Sequence, residues 1–136
     1  MSKLQKIIIF NSAIVRLMNF IEKKFKSDAE FALIRRLKNR YQAVLNTLGN
    51  HVFIQESIKP LMKYKDQIIN RDEQFFLLVD PKQVGMKIEK EDDFIYQLID
   101  IVTKQYTSYD QLSKNKIWDE VKILFETSCE YYILEN

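Results

Sequence analysis

Only two glycines and two prolines punctuate 136 residues, and that shortage restricts the fold more than any motif in the chain. A sheet of many short strands must reverse direction repeatedly and needs turn residues to do so, whereas a helix needs none between its caps. Apolar side chains at three- and four-residue spacing supply the matching signal. Over about 28–48, Phe31, Ile34, Leu37, Tyr41, Val44 or Leu45, and Leu48 share one stripe. Ser27-Asp28-Ala29-Glu30 reads as a capping box at its start, and Gly49-Asn50 ends it. Over about 2–25, Leu4, Ile7, Ile8, Ile14 or Val15, Met18, Ile21 and Phe25 form a second stripe, with Ile9, Phe10 and Phe20 beside it. A helix apolar on more than one face is either central to its fold or pressed against another molecule.

The middle of the chain is a joint. Pro60 lacks an N–H and disfavours helical backbone at Lys59, which predicts two short helices, about 51–58 and 60–70. Asp72-Glu73 then places negative charge on the first turn of another short helix. Phe75 to Val79 supplies it with a buried plug, and Asp80-Pro81 stops it. Residues 82–90 read as extended linker or loop. A helix follows over about 92–107, with Phe94 or Ile95, Leu98, Ile101 or Val102, and Tyr106 inward. The last covers about 114–134, with Ile117, Val121, Leu124, Ser128, Tyr131 and Tyr132 inward. The expectation is an all-α chain in one domain over 1–136, a compact helical bundle or irregular array of five to six helices.

The net charge of +2 hides an asymmetry. Residues 1–50 carry ten Lys/Arg against three Asp/Glu, and residues 51–136 carry eleven against sixteen. Three arrangements accommodate this: the halves neutralise each other inside one molecule, a basic face meets an acidic partner, or copies associate head to tail.

The residues exclude most chemistry. His51 is the only histidine, so zinc sites that combine histidine and cysteine and two-histidine carboxylate sites cannot be assembled. Glu126 and Glu130, four apart, read as solvated helix surface rather than ligands to a hard cation. Two glycines cannot make a phosphate-cradling loop. No catalytic residue, metal site or cofactor is expected. Cys129 is the only cysteine and reads as a small buried hydrophobe, so no internal disulfide forms and a cytoplasmic or nuclear location is expected. The longest uninterrupted apolar run, Phe75 to Val79, is far short of a membrane span, and the N-terminal segment lacks a signal-peptide cleavage pattern.

Two surfaces are candidates for partners. Arg35, Arg36, Lys38 and Arg40 lie opposite the apolar stripe of 28–48 and are suited to phosphates or an acidic partner. The turn at Gly49 and a helix after Asn50 add the punctuation of a helix-turn-helix. The aromatic surplus, sixteen Phe and Tyr together with Trp118, suggests a protein-binding patch made of Phe20, Tyr96, Trp118, Tyr131 and Tyr132. Another protein, or self-association, is the expected partner, and nucleic acid the alternative.

The pattern of Leu61, Lys63-Tyr64, Ile68, Asp72-Glu73 and Phe75-Phe76 resembles small helical proteins encoded by large DNA viruses of eukaryotes. The resemblance implies a virion or infection-related accessory protein and carries no catalytic residues with it.

Overall fold

Seven α-helices form among the residues described by the computed structural model, 2–78 and 94–135: α1 (Lys3–Lys24), α2 (Asp28–Leu48), α3 (Val52–Lys63), α4 (Lys65–Ile69), α5 (Glu73–Leu78), α6 (Phe94–Tyr106) and α7 (Gln111–Glu135). The chain is all-α, and no strand occurs among the described residues. The expected linker over 82–90 lies outside them.

The helix starts follow from short polar side chains. Ser2 and Gln5 form a complete capping box for α1, each side chain bonded to the other residue's backbone N–H. At α2 only half of the expected box forms. The Ser27 hydroxyl accepts from the Glu30 N–H, but it donates to the Glu30 carboxylate, which therefore does not take the Ser27 backbone N–H. Gly49 closes α2 with φ +100, a conformation that side-chain-bearing residues rarely adopt.

The pairing of α1 with α7 is the most extensive in the fold. It is antiparallel. Lys6 pairs with Glu130, and Arg16 Nε lies 3.0 Å from both carboxylate oxygens of Glu120, ten residues further along α1 and ten earlier on α7. Two adjacent rows of α1 are buried: Lys6, Phe10, Ala13 and Leu17, and Ile7, Ile14, Met18 and Ile21. This is the central helix that its two-faced apolar pattern required. A second knot of packing joins α2, α3 and α6, where the rings of Tyr41, Phe53 and Phe94 lie 4.9 to 5.9 Å apart by centroid.

Several expected positions shift. The break predicted at Lys59 falls instead at Tyr64, and α3 runs through Pro60 to Lys63. Proline inside a helix costs about 3 kcal/mol, but Phe53, Ile54, Ser57 and Ile58 bury one face of α3, and that tertiary packing holds the helical path. Asp72 caps α5 by accepting the Phe75 N–H at 3.1 Å. Phe75 is half-buried against Tyr64, with ring centroids 5.3 Å apart. The remaining side chains of the expected plug lie outside the description. Leu4, Ile8 and Leu48, expected inward, are exposed, while Phe10, placed beside the stripe, is fully buried. The reason is that α7 takes the row beginning at Lys6, so the row of Leu4 and Ile8 faces away.

These assignments predict opposite outcomes for two isoleucines of one helix. Ile21→Ala should lower stability in urea by about 2–5 kcal/mol, whereas Ile8→Ala should stay within about 0.5 kcal/mol of wild type.

Candidate functional site

Long stretches without a charged residue meet at one end of the molecule. Residues 7–15, 41–55 and 131–134 contain no Lys, Arg, Asp or Glu, in a chain that is 29% charged. Antiparallel packing places the first turns of α1 beside the last turns of α7. Two hydrogen bonds bring in the α2–α3 corner: Asn11 Nδ2 donates to the Asn50 carbonyl at 2.8 Å, and Gln55 Nε2 donates to the Tyr131 hydroxyl at 3.0 Å. The Lys3 ammonium lies 6.0 Å from the centre of the Tyr131 ring.

Large apolar side chains remain in solvent here: Leu4 at 55%, Ile8 at 54%, Leu48 at 60%, Tyr132 at 44%, Ile133 at 71% and Leu134 at 45% exposure. Single exposed leucines are ordinary, but six around the α1 start, the α2–α3 corner and the last turn of α7 are an apolar surplus in a region poor in charge, the composition found in interface cores. Between α1 and α2 the surface opens into a cleft of about 440 Å³, lined by Ile8, Asn11, Ser12, Val15, Arg16, Tyr41, Leu45 and Asn50. Asn11 is buried. Its Nδ2 is committed to Asn50, which leaves its Oδ1 as a buried acceptor with no hydrogen-bond partner.

The expected aromatic patch does not assemble. Tyr131 is buried, its hydroxyl held by Gln55, because it faces the α3 corner rather than solvent. Phe20 and Trp118 are half-buried near the opposite end, with Trp118 about 21 Å along α7 from Tyr132 at 1.5 Å per residue. Lys24 and Lys116 cover the Phe20 ring at 5.3 and 5.7 Å. Of the five, Tyr132 alone is seen exposed, and Tyr96 lies outside the residues whose side chains are described. On α2, Arg35, Arg36 and Arg40 are exposed as expected of a charged face, but Lys38 is half-buried and bound to Glu22 at 3.0 Å.

The charged knot at 70–73 has structural work. Arg71 adopts φ 50, rare for a residue with a side chain, and its guanidinium lies 5.7 Å from the Trp118 ring while Nε bonds Glu73 at 3.1 Å. Trp118 Nε1 donates to the Tyr106 hydroxyl at 2.8 Å. Tyr106 in turn hydrogen-bonds Glu73, holding that carboxyl below its ordinary range with help from Arg71. The joint between α4 and α5 is thereby tied to α6 and α7. Burial pushes the Cys129 thiol up, which opposes a nucleophilic role. Among the described residues no group of three or more metal-ligating side chains converges.

By length and composition α1 is apolar enough to cross a membrane, with a mean hydropathy of 1.3 over its best window. A count of uninterrupted apolar runs overlooks this. Half of that window is buried inside the fold, as in the central helix of a water-exposed domain.

Comparison with known proteins finds no matching family model, no matching curated protein and no matching solved structure.

Tyr109 gives a pH test of the packing beside α6. Its hydroxyl is buried without a hydrogen-bond partner, and burial, with the negative charge of Glu30 adding to it, pushes its pKa up to about 12. A raised folded pKa favours the neutral form, so the associated stability is intact below pH 10 and is lost as pH rises from 10 toward 12. Tyr109→Phe should match or exceed wild-type stability at pH 7, because it removes an unsatisfied group. Urea midpoints between pH 10 and 12 should then fall less steeply for the variant than for wild type.

Proposed function

We propose that this chain is a non-enzymatic interaction or structural protein whose working surface is the uncharged end built from α1, the α2–α3 corner and the last turns of α7. The single observation that carries this reading is that five exposed large apolar side chains, Ile8, Leu48, Tyr132, Ile133 and Leu134, fall in three charge-free stretches. Solvent-exposed apolar surface is costly to maintain unless something covers it, and a patch rimmed by polar groups marks a docking site. Among the described residues the exposed lone histidine before α3 and a thiol raised by burial offer no support for nucleophilic catalysis. The resemblance over Leu61 to Phe76 supports an accessory role of the kind found among large DNA viruses.

A second reading has its own observation: Arg35, Arg36 and Arg40 are exposed on one helix. Such residues give phosphate affinity without sequence readout. Under the docking reading, reversing Arg35, Arg36, Lys38 and Arg40 to Glu leaves DNA and RNA affinity at low salt unchanged, as measured by fluorescence anisotropy. A loss of affinity, with a shallower salt slope, would move the function to α2.

The docking reading is tested by placing a photo-reactive residue at Ile8, Ile133 or Leu112, all exposed, and illuminating the protein both pure and in cell extract. Leu112 is the control, about 30 Å from Ile133 along α7 at 1.5 Å per residue. Discrete protein adducts from positions 8 and 133 but not 112 are the expected result. Equal labelling at all three positions would remove the docking surface.

A further inference from the structure

Beyond the docking surface, we infer that the cleft between α1 and α2 is a binding site for a small uncharged molecule with an apolar body and a carboxamide head.

Polar groups that the fold leaves unsatisfied there set the chemistry. Tyr41 is 9% exposed and lines the cleft, while its ring is fixed in the core by stacking on Phe53 at 5.0 Å and packing on Phe94 at 5.9 Å. Among the described residues its hydroxyl has no hydrogen-bond partner. Burial raises its pKa above the ordinary tyrosine value, so at neutral pH the group is a protonated donor. Asn11 also lines the cleft and is 8% exposed. Its Nδ2 is held by the Asn50 carbonyl, and its Oδ1 is an acceptor without a partner. Buried polar groups are ordinarily paired, and leaving them unpaired is costly. One unpaired donor and one unpaired acceptor beside the same cleft are the complement of an amide, whose carbonyl accepts from Tyr41 while its N–H donates to Asn11.

Charge selects in the same direction. Arg16 is the only charged residue that lines the cleft, and both carboxylate oxygens of Glu120 lie 3.0 Å from its Nε. With that charge balanced inside the molecule, an ionised ligand gains no counter-charge for the water it gives up. A carboxylate also lacks the donor that Asn11 requires, and an ammonium lacks the acceptor that the Tyr41 proton requires.

The apolar wall sets the body. Ile8, Val15 and Leu45 supply it, and the α1 segment from Ile8 to Val15 is about 10 Å long at 1.5 Å per residue. That length accepts a hexyl chain or one aromatic ring with a short tail. The cleft volume of about 440 Å³ lies within the roughly 300–1,000 Å³ of small-molecule sites.

The test is a titration of the isotope-labelled full chain, followed by backbone amide shifts, with hexanamide, hexanoate and hexylammonium, which share one body and differ in the head. Hexanamide should saturate, with shifts concentrated at Ser12, Tyr41, Leu45 and Asn50, and should bind about tenfold more tightly than either ion. Tyr41→Phe keeps the ring packing and removes only the hydroxyl, so helix content should hold while hexanamide affinity falls by about threefold to tenfold. Leu45→Trp, which fills the cleft, should abolish saturable binding, and Leu112→Ala, at an exposed leucine on the first turn of α7, should leave it intact. Shifts that never saturate, tighter binding of hexanoate, or an unchanged hexanamide affinity in Tyr41→Phe would each overturn the inference. Photo-crosslinking from Ile133, which does not line the cleft, reports on the docking surface alone, so the two readings stand or fall separately.

Discussion

The antiparallel seam between α1 and α7 is the contact from which the rest of the architecture hangs. It buries two rows of α1 and ties the first helix to the last through Lys6–Glu130 and Arg16–Glu120. In each bridge one partner is nearly buried and the other open to water, since the Lys6 and Glu120 side chains are 9% and 10% exposed. Bridges of this kind add little net stability, but a buried charge that loses its partner is costly, which makes them effective at fixing register. A slide of α7 by four residues in one direction would set Arg16 against Lys116, and in the other it would set Lys6 against Leu134 and Arg16 against Leu124. Among these, the observed register alone satisfies both ions.

Register then decides what each end of the molecule shows to solvent. Because the basic half of the chain is paired with the acidic half along this seam, part of the sequence asymmetry is neutralised internally, one of the three arrangements that composition allowed. Large apolar side chains remain exposed at the α1 start and the α7 end, and the corner between α2 and α3 is joined to α1 through Asn11 and to α7 through Gln55. The first bond fixes the corner to α1 and the second fixes α3 to α7, so the corner spans both helices of the seam.

Helix identity was legible in the sequence because it is written in local spacing. The stripes on α2 and α6 place Ile34, Leu37, Tyr41, Leu98 and Tyr106 correctly, since a clean period needs no knowledge of the partner. What periodicity cannot report is where a partner ends. Leu4 and Leu48 continue their stripes past the last surface able to cover them, and so read as core while lying in solvent. Pro60 misplaced a boundary for a related reason, because a local penalty is visible in sequence and the burial that outweighs it is not. Spacing sets Tyr131 and Tyr132 alike on the inward stripe of α7, but only Tyr131 turns in, where Gln55 holds it, and Tyr132 is exposed. The candidate surface did have a sequence signal, the charge-free stretches of 7–15 and 41–55, but its meaning depends on their being brought together in space.

Core and surface are separable on α1 itself, and that separation is what makes a docking role compatible with this fold. The rows of Lys6 and Ile7 hold the molecule together, while Leu4 and Ile8 are each more than half exposed. Retaining large apolar side chains on the outer row exposes surface that polar residues would cover at lower cost, with no gain in folding. Their presence on a helix whose inner rows are already complete is what the docking proposal accounts for. The same reasoning applies to Ile133 and Leu134, which extend beyond the packed rows of α7 toward the same end. A fold that needed these residues for its core would have turned them inward, as it does Phe10 and Tyr131.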